Sequence, residues 1–410
     1  MKRFFAFCAL LSLLVFTTAA FAQDAPITIK AGTLIDGKGG VQRNVTIVVQ
    51  DGKIKSIGPA TGAAQYDYSN VTVLPGMIDS HVHIDTHFGA NGKVAGNVGP
   101  RESLTAAIEN ANTMLLNGFT ATQSIGGRVD VELRNAINRG IAPGPRFMTS
   151  IQPVNETTGT PEQIREFVRK IVAEGADLVK VFASKSIREG GAQTLSDAQI
   201  AAACDEARKL GKRTWVHAHA DSAVRAAALG GCMVVTHGSQ VSDATLQLMA
   251  QRGTYFEPNI GLVSQNYIEN KPKYLGTGNF DDAGFKFMED GIPLKLDMFK
   301  RAIKTKGLKI LMGTDAGAGA HGQNARETTY RVLTGGWSPM DAIIATTSIN
   351  AEALGMKDKI GTLAPGFEAD IIAVDGDPVK DIGVLRNVVF VMKAGKVYKS
   401  MPARSRPSAQ

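Results

Sequence analysis

The chain has 410 residues, 44% of them hydrophobic and 20% charged, with 44 Gly, 16 Pro and only three Cys; this excludes a fibrous, disordered or disulfide-stapled chain. The formal net charge of +7 is scattered along the sequence, without the clustered basic stripe and interleaved aromatics of a nucleic-acid surface, so no nucleic-acid partner is expected. At about 150 residues per domain the length suits two or three domains, and one α/β barrel of about 250 residues with one small domain fits as well.

Lys2 and Arg3 precede an apolar run from Phe4 to Phe16, which gives way to small residues and Ala20-Phe21-Ala22. A charged start, an apolar centre and a small-residue end predict a signal peptide over residues 1–22. The run is shorter than the roughly 20 residues a membrane-spanning helix needs, and no comparable run follows. The mature chain is therefore expected to be periplasmic or secreted, with no membrane anchor. Cys8 lies inside the run and Gln23 follows the cut, which speaks against a lipid attached at the cleavage point. Cys204 and Cys232 remain in the mature chain; an oxidising compartment allows them to pair, and two buried thiols is the reading the sequence favours.

Residues 27–58 alternate apolar and polar side chains between turn signals, at Ile27 to Ile29, Val45 to Val49 and Ile54 to Ile57, predicting an antiparallel β unit. The same texture returns in Ala369 to Val374, Val388 to Met392 and Lys396-Val397. Neither fragment can bury a core alone, so residues 23–75 and 358–402 are expected to combine into one small β-sandwich domain built from both ends of the chain. Between them, residues 76–357 alternate short apolar runs with amphipathic segments. The runs are Gly76 to Ser80, Thr120 to Gln123, Leu178 to Phe182, Arg213 to Val216, Met233 to Thr236, Thr254 to Phe256 and Ile310 to Met312. Asp197 to Leu210 reads as a helix with Ser196 as N-cap and Gly211 as stop. Repeated βα units of this total length predict an α/β fold, a closed (β/α)8 TIM barrel with its active site at the C-terminal strand ends. A doubly wound sheet is the alternative, and no glycine-rich phosphate fingerprint supports it.

Ligand-type side chains cluster at those strand ends. His81 and His83 follow the first run at a spacing of two, which on an extended chain points both imidazoles the same way. His217 and His219 end the fourth run, His237 the fifth, and Asp315 follows the last. Imidazole and carboxylate are the donors that zinc and similar ions accept, and a two-metal hydrolytic site needs five or six of them.

On Pro75 to His83, Val216 to His219, Thr236-His237-Gly238, Gly313 to Gly317 and Ile360 to Asp370, the chain resembles the amidohydrolase superfamily in its imidazolonepropionase-like and Xaa-Pro dipeptidase-like branch. The resemblance covers nearly all of the mature chain and is far more specific for the superfamily than for a substrate. It implies that His81, His83, Lys180, His217, His237 and Asp315 hold two divalent ions, zinc by preference, with carbon dioxide bound as a Lys180 carbamate. An ammonium cannot ligate a cation, whereas a carbamate is an anionic oxygen donor. It makes Asp315 the general acid/base that serves a metal-activated hydroxide. Either His217 or His219 is the strand-five ligand; His217 matches the family position, which leaves His219, with His321 in the loop after Asp315, to face substrate. Asn259 stands between a pocket role and a turn role, and His87 is assigned none. Pro153 to Thr160 replaces a Gly-Gly-His-Gly stretch of many relatives, so a substrate-facing His is missing.

The expectation is an exported enzyme that hydrolyses a carbon–nitrogen amide bond, of dipeptides or N-acyl amino acids, with a cyclic or xenobiotic amide as the alternative. A deaminase would carry a Glu shortly after His217, and Ala218 to Asp221 supplies none. A protein kept for metal binding alone would not need Asp315. The partner is a small amide or peptide, and a homo-oligomer is compatible with the sequence. Lys185, Arg188 and Arg326 are candidate cations for a substrate carboxylate, without assignment.

Overall fold

The computed structural model describes residues 25–95 and 98–402; the signal peptide predicted for residues 1–22 lies outside them. The fold is α/β. Four strands come first, β1 (Ile27–Ile35), β2 (Val41–Gln50), β3 (Lys53–Pro59) and β4 (Tyr66–Pro75). The central part holds β5 (Met77–Val82), β6 (Phe119–Ser124), β7 (Arg146–Thr149), β8 (Pro153–Val154), β9 (Leu178–Phe182), β10 (Arg213–Ala218), β11 (Val234–His237) and β12 (Tyr255–Glu257). The chain closes with β13 (Ile371–Val374), β14 (Val388–Lys393) and β15 (Lys396–Ser400).

The two ends of the chain meet in one seven-stranded sheet of order β15-β14-β13-β4-β1-β2-β3. Its joining strand, β4, is missing from the sequence reading, since Tyr66 to Asn70 breaks the apolar alternation. β4 also corrects the expected antiparallel pattern: it runs parallel to β1 and antiparallel to β13. In β2, Val45, Ile47 and Val49 are buried while their neighbours are half-buried, the period-two burial of a sheet with one covered face. They share a core with Tyr68, Phe390 and Met392 from the other half of the sheet.

The central strands are parallel and form two open sheets, β5-β6-β7 and β8-β9-β10-β11-β12. Ile310 to Met312, predicted as a strand, belongs to a segment, residues 310–316, that makes single bridges instead, Phe256 with Ile310 and Val82 with Ala316. Leu311 N donates to the Phe256 carbonyl at 2.7 Å and Asp315 N to that of His81 at 2.8 Å, so the segment lies between β12 and β5. Ile78, Ala121, Leu178, Trp215, Val234 and Leu311, drawn from both sheets, belong to one apolar cluster. β7 and β8 escaped the sequence reading because each is only a few residues long and flanked by proline.

Helices pack against the five-stranded central sheet. The helix Asp197–Lys209 starts where predicted: the Ser196 side chain accepts from Gln199 N and the Gln199 side chain accepts from Ser196 N, a capping box. Its Ile200 and Ala203 pack with Val179, Val181 and Val216 of the sheet. Cys204 in this helix and Cys232 before β11 are joined as a disulfide with Cα atoms 5.1 Å apart, which corrects the reading of two buried thiols. Among the described residues no helix is long and apolar enough to cross a membrane.

Candidate metal centre

His81 and His83 lie at the end of β5, His217 and His219 at the end of β10, His237 at the end of β11 and Asp315 in the bridging segment. The fold brings all six together. Donor atoms of His217, His219 and His237 lie within 4.8 Å of one another, and so do those of His81, His237 and Asp315. The His217 and His237 rings are 4.5 Å apart, and His219 stacks on His237 at 4.8 Å. Asp315 Oδ1 is 3.3 Å from His81 Nε2 and 3.1 Å from His83 Nε2. The donors are imidazoles and one carboxylate, the set that suits zinc-like ions.

His237 and Asp315 both take the left-handed backbone conformation, at φ 72° and 55°. Non-glycine residues pay for that geometry, and it persists where surrounding structure over-determines it, typically at functional sites.

Lys180 comes up from β9 with its side chain fully buried, and its Nζ has no hydrogen-bond partner among the described residues. The Phe182 ring lies 5.1 Å from it. Burial lowers the ammonium to about 8, against the pull of Asp315 and Glu257. An orphaned buried amine next to imidazoles is the feature a carbamate oxygen donor would resolve, so these residues fit the two ions that the family resemblance implies.

The remaining charges follow from burial and neighbours. Burial drives His237 and His219 well below the usual imidazole range, and His217 to about 3, with Lys180 the next contributor there. All three are neutral ligand-type imidazoles at neutral pH. Burial alone would raise Asp315, yet the adjacent His81 and His83 hold its carboxyl well below the usual range, so it is ionised.

Support around the ligands was invisible in the sequence reading. Glu257, at the end of β12 and fully buried, lies 2.6 Å from His81 Nδ1, and accepts from Trp215 Nε1 at 3.0 Å and from the Ser80 hydroxyl. Its signal was an acidic residue at a strand end, masked by the turn-like Glu257-Pro258-Asn259. Asp79 accepts from Thr314 Oγ1 and Asn324 Nδ2, each at 2.6 Å, pinning β5 to the Asp315 segment. Asn259 Nδ2 donates to the Gly313 carbonyl at 2.8 Å, which settles it as an anchor for that segment.

A cavity of about 450 Å³ opens over the cluster, lined by His81, His83, His217, His219, His237 and Asp315. Asn155, Glu156 and Thr157, from the stretch that lacks the relatives' His, line its edge. Lys185 and Arg188 face it as well, whereas Arg326 is held by Glu269 at 2.5 Å and is not among the lining residues. His321 is also not among them: it is buried, with Nε2 3.1 Å from the His83 carbonyl. His87 pairs with Glu102 at 3.1 Å. Lys295, which the sequence reading did not single out, lines the cavity while only 4% exposed.

A family model described as "Amidohydrolase family" matches residues 72–401. The chain is similar to ochratoxinase of Aspergillus niger, 26% identical over 93% of this chain and 88% of that one. An imidazolonepropionase of Caldanaerobacter subterraneus is 24% identical over 81% of this chain and 84% of its own. Among solved structures, a Xaa-Pro dipeptidase with methionine bound in its active site is 28% identical, with a TM-score of 0.84 over 92% of this chain and all of that one.

Proposed function

The chain belongs to the amidohydrolase family and is a hydrolase acting on carbon–nitrogen bonds, and from that premise we propose that it is an exported two-metal enzyme cleaving dipeptides or N-acyl amino acids. The observation that carries this reading is the imidazole and carboxylate cluster beside the orphaned Lys180 amine, under a cavity large enough for a two-residue substrate. Similarity to a Xaa-Pro dipeptidase at 28% identity supports the substrate class. The disulfide supports export, because such bonds persist in oxidising compartments.

His81, His83, Lys180, His217, His237 and Asp315 would hold two divalent ions, zinc by donor type, which when bound polarise the scissile carbonyl and acidify water. The rest falls to this chain's own groups. A neutral Lys180 Nζ attacks carbon dioxide, forms an N–C bond, releases one proton and becomes the anionic carbamate. The Asp315 carboxylate, ionised and 18% exposed, takes a proton from the attacking water at Oδ and delivers it to the leaving nitrogen. Glu257 holds the His81 ring through Nδ1, leaving Nε2 for the cluster. His219, on the cavity wall with its Nδ1 2.9 Å from Ser239 Oγ, faces substrate.

The reading includes the architecture. The bonds of residues 310–316 to both β12 and β5, and the shared apolar cluster, support two open sheets joining as one eight-stranded barrel over residues 76–357, with β7 and β8 counted as one interrupted strand that pairs with β6 on one side and β9 on the other. Ala369 N donates to Gly52 O at 2.8 Å, which supports curling of the seven-stranded sheet from residues 23–75 and 358–402 into a sandwich.

The test is release of free amino acids, followed by mass spectrometry, from a pooled library of dipeptides and N-acyl amino acids with zinc and bicarbonate supplied. Release that falls about 10²–10⁴-fold in Asp315→Asn is expected. Silence from a zinc-loaded enzyme would move the activity to the second reading, a cyclic or xenobiotic amide, which the likeness to ochratoxinase favours.

A further inference from the structure

Among the described residues three cationic side chains are buried: Lys180, the orphaned amine of the cluster, Arg331 and Lys295. Arg331, 1% exposed, is matched by Glu327 at 2.8 Å and by backbone carbonyls. Lys295 has no carboxylate partner: its Nζ donates to Ser264 Oγ at 3.0 Å, and two of its three donors are left over. Two acids act on it through space: Asp315 lies against His81 and His83, and Glu327 is spent on Arg331 and on the backbone N–H groups of residues 260–262. A buried cation without a counter-ion is expensive; burial lowers the Lys295 ammonium to about 8, which leaves it charged at neutral pH and open to pairing with an incoming carboxylate.

The second cation on the same wall is Arg188. Its guanidinium lies 4.0 Å from the Phe280 ring centre and 5.3 Å from that of Tyr267, and its Nε donates to Asn279 Oδ1 at 2.7 Å. It too has no carboxylate partner among the described residues. Its neighbour Glu189, on the same cavity, accepts from Asn279 Nδ2 at 2.8 Å. Lys295 and Arg188 therefore share with Asp315 a cavity whose remaining wall includes Phe182, Val263 and Met288.

We propose that Lys295, seated on Ser264 and reinforced by Arg188, anchors the free carboxylate of the residue that carries the leaving nitrogen, and so selects dipeptides and N-acyl amino acids over neutral amides. The proposal rests on the amide-hydrolase reading and adds the group that enforces its substrate class. In such substrates the carboxylate sits one carbon beyond the leaving nitrogen, where a cation on the wall of the reaction cavity can pair with it. Met288, Val263 and Phe182 suit an apolar side chain on that same residue.

The test uses the zinc-loaded mature chain and the N-acetyl derivatives of methionine, phenylalanine, leucine and proline, each as the free acid and as its C-terminal primary amide. The wild type is expected to prefer the acids. Lys295→Met should lower kcat/KM for the acids about 10–100-fold, the range for hydrogen bonds to charged groups, and leave the amides within about twofold. Lys295→Arg should restore part of the preference. Calorimetric binding of the free amino-acid products gives a readout apart from turnover, with Kd expected to weaken about tenfold or more in Lys295→Met. Equal turnover of acids and amides, with product binding indifferent to Lys295, overturns the anchor and leaves the hydrolase standing. Product binding that depends on Lys295 without any turnover keeps the anchor and removes the N-acyl amino acid reading. Neither turnover nor binding overturns both.

Discussion

Glu257 is fully buried, with its carboxylate facing His81, Trp215, Ser80 and Asn259. By accepting from His81 Nδ1, Trp215 Nε1 and Ser80 Oγ, it sets which ring nitrogen of His81 faces Asp315. Outer partners of this kind orient a ligand and raise its basicity, and their loss typically costs about 10–100-fold in metal affinity. Glu257→Gln keeps the shape and an acceptor oxygen but loses the charge. It should weaken zinc binding within about that range in a chelator-competition titration, with the circular-dichroism spectrum of the wild type. Affinity equal to wild type would mean that His81 is oriented by its own backbone alone. The proposed ligands themselves were legible, because His81, His83, His217, His237 and Asp315 stand at the ends of recognisable apolar runs. Glu257 was hidden by a proline and an asparagine that make the same three residues look like a turn.

At the scale of elements, the segment 310–316 does what a regular strand would do with only two isolated bridges. Asp79, Asn259 and Asn350 hold it by side chains: Asp79 to Thr314, Asn259 to the Gly313 carbonyl, and Asn350 to both Met312 N and Met312 O. Gly313 is the tight point, since a Cβ there would fall into the Glu257 carboxylate. Its φ is not positive, so an alanine free of that clash would stabilise the protein by about 0.4–1 kcal/mol through the unfolded chain. Gly313→Ala is expected to do the opposite, destabilising by about 1–3 kcal/mol in urea unfolding as an overpacked core substitution does, and to weaken zinc binding because Glu257 is displaced. A stabilised variant would remove Gly313 from the support of the site. The apolar run Ile310 to Met312 marked this segment in the sequence, but its irregular pairing follows from partners 38, 54 and 235 residues away.

For the molecule as a whole, the proposed ligands come from both open sheets: His81 and His83 from β5, Lys180, His217 and His237 from β9 to β11, and Asp315 from the segment between β12 and β5. Two ions held there would tie the sheets together, and binding to the folded state alone adds about 2.7 kcal/mol per ion at a free concentration one hundred times Kd. Chelation should therefore lower the unfolding temperature by roughly 5–10 °C while far-ultraviolet circular dichroism at room temperature is unchanged, and metal analysis of the loaded chain should find two ions. Saturation at one ion would defeat the bridging role of Lys180, and an unmoved transition would mean that the ligands do not span the two sheets. Local order carries the part of this that can be read along the chain: apolar runs at strand spacing, Ser196 with Gln199 as a helix start, and metal-type side chains placed just after the runs, because burial period and capping act within a few residues. Contacts between distant segments carry the rest. They alone decided that β4 stitches the chain ends into one sheet, that Cys204 meets Cys232, that Glu257 stands behind His81, that His321 turns to the His83 backbone, and that Lys295 is buried on the cavity wall without a counter-charge, since no spacing in the sequence records which buried group lacks a partner.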